Sequence, residues 1–261
     1  MSAANDQPSV LVKLCGVDDA VDMRILVLGD IHSNWQALSA IREDFDACLV
    51  TGDVVDYGTD PRPCLDWVRK HATVIVRGNH DHAVAQRVAG RTGGGLRRLA
   101  AIVRSYHWEI LDPQHLKYLG RLPTVEHIQL GGLRFCLVHA TPRDAMDEYL
   151  GPDEGAWQQR LEGIDADIVC VGHSHVPFHL QLSGKEVLNP GSVGQPRDGD
   201  PRAAYAIIEN GTVELKRAEY DIDAAVAQAR DVPLAPWVAA LNEAIWRSGG
   251  ALTKAEMDAF V

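Results

Sequence analysis

Five short polar clusters between Gly29 and His175 carry the side chains best suited to chemistry. They are Gly29-Asp30-Ile31-His32-Ser33-Asn34, Gly52-Asp53-Val54-Val55-Asp56-Tyr57-Gly58, Gly78-Asn79-His80-Asp81, Val138-His139-Ala140 and Gly172-His173-Ser174-His175. Each alone has a plain structural explanation: Asp30 would serve as a helix N-cap, Gly78-Asn79 as a turn, and a lone histidine at a strand end as a hydrogen-bonded structural residue. Together they supply Asp, His and Asn donors without a thiolate, a set suited to Mn, Fe, Zn, Ni or Mg. Alternate residues of an extended chain leave on the same side, which pairs Asp30 with His32 and His173 with His175. Glycine before Asp30, Asp53, Asn79 and His173 lets the backbone turn tightly there. Donors in this number can support two cations roughly 3.5–4 Å apart, bridged by one carboxylate and a hydroxide, which makes a nucleophile of water near neutral pH.

These clusters need elements that bring them to one rim. Apolar runs precede them: Ile25-Leu26-Val27-Leu28, Ala47-Cys48-Leu49-Val50, Thr73-Val74-Ile75-Val76, Phe135-Cys136-Leu137-Val138 and Ile168-Val169-Cys170-Val171. Such runs predict strands buried on both faces. Trp35–Phe45 and Arg62–Lys70 read as intervening helices, the second opened by Asp60-Pro61. Strands alternating with helices give an α/β class, and ligands in such sheets bind beyond the carboxyl ends of the strands. A helical insertion is expected over about residues 83–122, with Leu96–Val103 in one helix and Asp112-Pro113 starting another. Its Arg87, Arg91, Arg97, Arg98 and Arg104 make it locally basic, and a solvated helix face is the simpler reading of them. Two hairpins follow, around Ser183-Gly184 and Asn210-Gly211, and are expected to form a second, largely antiparallel sheet. The tail from Ile222 onward is Ala-rich and helical. Residues 1–22 are an N-terminal extension whose structure the sequence leaves open, and residues 23–261 read as a single domain.

The 261 residues are 46% hydrophobic, enough to cover both faces of a sheet, and no apolar run approaches a bilayer-spanning length. Met1–Val10 lacks Lys, Arg and a long apolar core, so it does not read as a secretory signal. The scattered cysteines, Cys48, Cys136 and Cys170 among them, suit buried free thiols in a reducing cytoplasm and not a zinc-thiolate site. A net charge of −11 argues against long nucleic acid as a partner. It leaves a small phosphate ester open, since bound cations reverse the local field.

In order and spacing the clusters resemble the calcineurin-like metallophosphoesterase superfamily, with its DxH, GDxxD, GNH(D/E), lone His and GHxH motifs. The match spans Asp30 to His175 and continues into Asn189-Pro190-Gly191-Ser192-Val193-Gly194, a loop typical of the small prokaryotic phosphodiesterase-like members. The resemblance implies a four-layer αββα sandwich of two mixed sheets flanked by helices. It implies that Asp30, His32 and His175 hold one divalent ion, that Asn79, His139 and His173 hold another, and that Asp53 bridges them, with manganese the expected metal. His80 would be the catalytic, non-ligand histidine. It would protonate the leaving alkoxide during in-line attack of the bridging hydroxide, with Asp81 orienting it and Asp56 a structural or supporting residue.

Tyr57 departs from the GDxVDRG form of the protein phosphatases and symmetrical diadenosine tetraphosphatases, whose arginine contacts phosphate. The departure favours a small phosphodiester over a phosphoprotein, with a phosphomonoester as the alternative. Arg197 and Arg143 are the candidates to replace the lost arginine, and a salt bridge is the plain alternative for each. A non-catalytic scaffold of the same fold is disfavoured because His80 and every ligand position are filled. His71, His82, His107, His115, His127 and His179 read as structural or surface residues, His82 alone lying near the site. A cytoplasmic location is expected, and oligomeric state is not readable.

Overall fold

The structure, a computed structural model, describes residues 12–13, 23–90 and 93–260. Its strands are β1 (Val12–Lys13), β2 (Ile25–Leu28), β3 (Ala47–Val50), β4 (Val74–Ile75), β5 (Val125–Leu130), β6 (Leu133–Val138), β7 (Ile168–Cys170), β8 (Phe178–Leu182), β9 (Lys185–Asn189), β10 (Ala203–Glu209) and β11 (Thr212–Ala218). Its helices are α1 (Trp35–Ala40), α2 (Pro61–His71), α3 (Asn79–Ala85), α4 (Gly95–Ile110), α5 (Pro113–Arg121), α6 (Glu154–Arg160), α7 (Ile222–Arg230), α8 (Pro236–Ser248) and α9 (Lys254–Asp258).

The strands form a six-stranded sheet, ordered β1-β11-β10-β2-β3-β4, and a five-stranded sheet, ordered β5-β6-β7-β9-β8. Both are mixed: β2, β3 and β4 are parallel in the first, as are β6, β7 and β9 in the second, and antiparallel strands complete each. The period of two along β2 explains the layering. Leu26 and Leu28 face the outer helices with Leu38, Leu65 and Val68, while Ile25 and Val27 face Phe135, Leu137 and Ile168 of the other sheet. Cys136, Val138 and Val169 on the far face of the second sheet pack on Trp157 of α6. Helix, sheet, sheet and helix thus stack in four layers, as expected. Burying each such Leu or Ile contributes roughly 1.5–3 kcal/mol.

Several expectations need correction. The two hairpins do not share a sheet. β8–β9 adds to β7 through β9, and β10–β11 adds to β2 through β10; the strand of each hairpin that joins the parallel core is the more buried one, Val187 and Leu188 in β9 and Ala203–Ile208 in β10. β5, absent from the sequence reading, pairs with β6 across the Gly131-Gly132 turn. The helix after the first motif ends at Ala40 and not Phe45, since the chain must reach Asp46, whose N–H donates to the Arg24 carbonyl at 2.8 Å to start β3 beside β2. Its N-cap is Asn34, which accepts from the Ala37 N–H at 3.1 Å, and not Asp30. The helical insertion appears as the end of α3 with α4 and α5, and the tail as α7 to α9. Within the N-terminal extension only β1 is described, paired with β11; the rest, like Arg91, lies outside the described residues.

Candidate metal centre

The parallel strands of both sheets end at one rim. Leu28 leads into Asp30 and His32, Val50 into Asp53, Ile75 into Asn79 and His80, Val138 into His139, and Cys170 into His173 and His175. The turns are tight. Asp30, His32, Asp53, Asp56, Tyr57, His173 and His175 all hold positive φ, between 45° and 71°, which side-chain-bearing residues rarely adopt. Each such residue costs about 1–3 kcal/mol and persists only where its surroundings fix it.

Hydrogen bonds fix these. The N–H groups of Asp30 and His32 donate to the carbonyls of Gly52 and Asp53, each at 3.0 Å, which ties the first motif to the second. Asp81 accepts from the N–H groups of Asp53 and Val54 at 2.8 Å and of Gly78 at 3.1 Å. Gly78 is required by close approach, since a Cβ there would lie 2.0 Å from Asp53 Oδ1. Asp81 therefore shapes the bridging loop and does not orient His80 as expected.

The donor atoms fall into two buried groups, Asp30 with His32 and His175, and Asp53 with His139 and His173. His175 Nε2 lies 3.3 Å from Asp30 Oδ1 and 3.2 Å from His32 Nε2. His139 Nε2 lies 3.1 Å from Asn79 Oδ1 and 3.2 Å from Asp53 Oδ2. Asp53 Oδ2 is also 3.8 Å from His32 Nε2, so one carboxylate oxygen faces both groups. All the predicted ligand positions are brought together.

Each ring is oriented from behind. His32 Nδ1 donates to the Val55 carbonyl at 3.0 Å, His139 Nδ1 to the Thr51 carbonyl at 2.8 Å, and His175 Nδ1 to the Gln195 carbonyl at 2.6 Å. That turns each Nε2 inward toward the carboxylates, the usual support of a metal-binding histidine. Asp30 Oδ2 accepts from the His173 N–H at 3.0 Å and Asp53 Oδ1 from the His80 N–H at 2.9 Å. The opposite oxygens, Asp30 Oδ1 and Asp53 Oδ2, are buried without a partner, as is His173 Nε2. Buried polar atoms are normally satisfied, and these orphans converge on the same two points, so the residues fit a pair of divalent cations.

The electrostatics agree. Burial pushes the Asp30 carboxyl up and drives the imidazoles of His32 and His173 down to about 3. Burial would also lower His139, but the Asp53 carboxylate beside it holds it up at about 10. Asp30 is thus held back from ionising by burial, whereas His139 keeps its proton beside the Asp53 carboxylate, so buried charge in this cluster is stable only where an opposite charge lies next to it.

His80 sits at the edge of this cluster. Its Nδ1 donates to Asp56 Oδ2 at 2.8 Å, and Arg104 Nε of α4 reaches the same oxygen at 2.9 Å. Burial opposes the imidazolium, but Asp53 and Asp56 outweigh it and raise His80 above the ordinary histidine value. Arg104 is 7% exposed, so the solvated-face reading fails for this residue. The available signal was spacing: Arg104 and His107 share a helical stripe with Leu96, Leu99, Ala100 and Val103, and a charge within an apolar stripe calls for a buried partner. His107 donates to the Gly58 carbonyl at 3.0 Å and Asn242 of α8 to the Tyr57 carbonyl at 3.0 Å, so α4 and α8 both hold the second motif's loop.

Tyr57 is buried against His32 and His80, with ring centroids 4.8 and 4.6 Å away. Arg197 lies beside it. Its N–H donates to the His175 carbonyl at 3.3 Å, its Nη2 reaches Gln195 Oε1 at 3.1 Å, and its Nε is buried without a partner. Burial disfavours its charge, but Tyr57, Tyr149 and Asp30 keep the guanidinium protonated. Arg143, by contrast, is an exposed residue paired with Glu148, which also binds Arg160. In the sequence Tyr149 is a lone aromatic in a polar loop and carries no motif; in the structure its ring lies 3.9 Å from that of His173. His82 lies on α3, and His71, His115 and His179 contact Trp67, Asp66 and Glu186 away from the centre.

Comparison with known proteins agrees with this geometry. Residues 23–212 match the family model for the calcineurin-like phosphoesterase superfamily domain. An uncharacterised protein of Methanocaldococcus jannaschii is 31% identical over 84% of this chain and 96% of its own length. The crystal structure of a metallophosphoesterase from Sphaerobacter thermophilus superposes with a TM-score of 0.75 at 32% identity, covering 88% of this chain and 100% of that one. A hypothetical protein of Pyrococcus horikoshii shares the fold, with a TM-score of 0.74 at 18% identity over 88% of this chain and 99% of its own. The motif order, the paired donor groups on one rim and these relatives together place the chain in the calcineurin-like phosphoesterase superfamily.

Proposed function

We propose that this protein is a dinuclear metal-dependent phosphodiesterase for small phosphate esters. The observation that carries the reading is Asp53 Oδ2, a buried carboxylate oxygen without a hydrogen-bond partner, 3.2 Å from His139 Nε2 and 3.8 Å from His32 Nε2. Asp30, His32 and His175 would hold one ion, Asn79, His139 and His173 the other, and Asp53 both. The donor set suits manganese, with Fe, Zn, Ni or Mg also accommodated. Bound cations supply a nucleophilic water near neutral pH and neutralise charge on the phosphate.

The chain's own residues do the rest. Arg197, charged and with an unsatisfied Nε, is placed to take a non-bridging phosphate oxygen. His80 directs Nδ1 to Asp56, which leaves Nε2 to carry a proton toward the cleft. Water adds to phosphorus and gives up one proton to solvent, the P–O bond to the alcohol breaks in line, the alcohol leaves with the His80 proton, a contribution typically of 10²–10⁴-fold, and His80 regains a proton from solvent. Tyr57 puts a neutral wall where an arginine would compensate the second charge of a monoester, which favours a singly charged diester. A phosphomonoesterase is the second reading, because Arg197 restores one cation beside Tyr57.

Among the described residues no helix is long and apolar enough to cross a membrane. We place the protein in the cytoplasm, acting on a small ester and not on long nucleic acid. With Mn²⁺ the purified protein should release p-nitrophenol from bis-p-nitrophenyl phosphate faster than from p-nitrophenyl phosphate, and a chelator should stop it. Failure to hydrolyse either ester with any of the five metals would overturn the reading.

A further inference from the structure

A cleft of about 560 Å³ opens from the metal centre toward α4. Its floor is formed by Asn79, His80 and His173, and its walls include Arg97, Asp147 and Tyr149. The volume far exceeds a phosphate group and suits an organic ligand of nucleotide size. The walls carry three different chemistries. Tyr149, on the loop between β6 and α6, is 63% exposed and lines the cleft, and its ring packs on His173 at 3.9 Å and 35°. An exposed aromatic face beside a reaction centre is a stacking surface for a planar ring. Arg97, in the first turn of α4, is exposed, and among the described residues its guanidinium has neither an ion pair nor a hydrogen bond. Asp147, also exposed, offers a carboxylate to hydroxyl or amino groups.

We propose that this cleft is a nucleotide subsite. The retained half of the diester is a nucleoside whose base stacks on Tyr149, whose sugar hydroxyl or base amino group donates to Asp147, and whose second phosphate pairs with Arg97. A plain alkyl diester uses none of these groups, so the cleft selects among esters that the metal centre alone would treat alike. The inference rests on the phosphodiesterase reading above.

Three diesters with the same p-nitrophenol leaving group test it: methyl p-nitrophenyl phosphate, adenosine 5′-(p-nitrophenyl phosphate) and its 3′-phosphorylated form, which keeps the 2′-hydroxyl and the base amino group. For the wild-type protein with Mn²⁺, kcat/KM should rise at each step. Adding the nucleoside should be worth at least about 5- to 100-fold, the range of a single aromatic stack. Tyr149→Ala should remove most of the first step, and Arg97→Gln the second. The second step should also shrink with added salt, because Arg97 is exposed. Equal kcat/KM for the three substrates, or variants that lower all three by one factor, would overturn the subsite while leaving the phosphodiesterase reading intact. No turnover of any of the three would overturn that reading and the subsite with it.

Discussion

His80 and Arg104 share one oxygen: His80 Nδ1 lies 2.8 Å from Asp56 Oδ2, and Arg104 Nε lies 2.9 Å from the same atom. Arg104 comes from α4, a helix of the insertion, so an element outside the motifs sets the carboxylate that orients the candidate acid. Arg104 is in this sense a positioning residue. Arg104→Met should lower kcat about 10–100-fold for an alkyl ester that needs a proton on its leaving group, the usual cost of losing such a supporting partner. The loss should be much smaller for p-nitrophenyl esters, whose leaving group needs no proton. Metal content, measured by plasma mass spectrometry, should not change. Equal losses on both ester types would mean that Arg104 acts only on stability.

Gly78 makes a second prediction. A Cβ at this position would fall 2.0 Å from Asp53 Oδ1 and 2.6 Å from the Asp53 N. Gly78→Ala must therefore displace the Asp53 carboxylate, the proposed bridge. Manganese binding should weaken at both sites together, which titration calorimetry would resolve. Loss of one site alone would show that Asp53 is not shared.

The acid limb of stability gives a third. Glu43 is buried enough to resist ionising, but hydrogen bonds from Lys216, Tyr205 and Arg24 pull its carboxyl down to about 2. A depressed carboxyl stabilises the fold above its unfolded value of 4.5, and the benefit fades as pH falls toward about 2. Glu43→Gln should thus lower Tm at pH 7, and the difference from wild type should narrow between about pH 4.5 and pH 2. Both proteins should be compared in chelator, so that metal loss is the same for each. A difference that stays constant through that window would exclude the ion cluster as its cause.

Thiol reactivity is the fourth. Cys48, Cys64, Cys136 and Cys170 are free and buried, and burial raises the pKa of each. A buried neutral thiol is unreactive. The native protein should react with a thiol-specific disulfide reagent at no position other than Cys15, and at all five cysteines in denaturant.

Much of this site was legible in the sequence because its residue types are set by chemistry. Asp30, His32, Asp53, Asn79, His139, His173 and His175 stand directly after strands, and the apolar runs that end at them are long enough to read. What escaped was settled by contacts distant in sequence. The hairpins at Ser183-Gly184 and Asn210-Gly211 look alike locally, and only the exposed edges of β7 and β2 send them to different sheets. β5 alternates exposed and half-buried residues, a weaker pattern than a buried run. Asp56 and Asp81 are both carboxylates near His80, and only the three-dimensional path gives His80 to Asp56 and the loop N–H groups to Asp81. Arg197 is close to the centre because the loop after Asn189 folds back over His175, a placement its sequence position suggests but does not fix.

The shared carboxylate is tested most directly by crystals grown with Mn²⁺ and measured at the manganese edge. Two anomalous peaks per chain, about 3.5–4 Å apart, are expected, with Asp53 Oδ2 bound to both. A single peak, or two peaks that Asp53 does not join, would contradict a shared carboxylate.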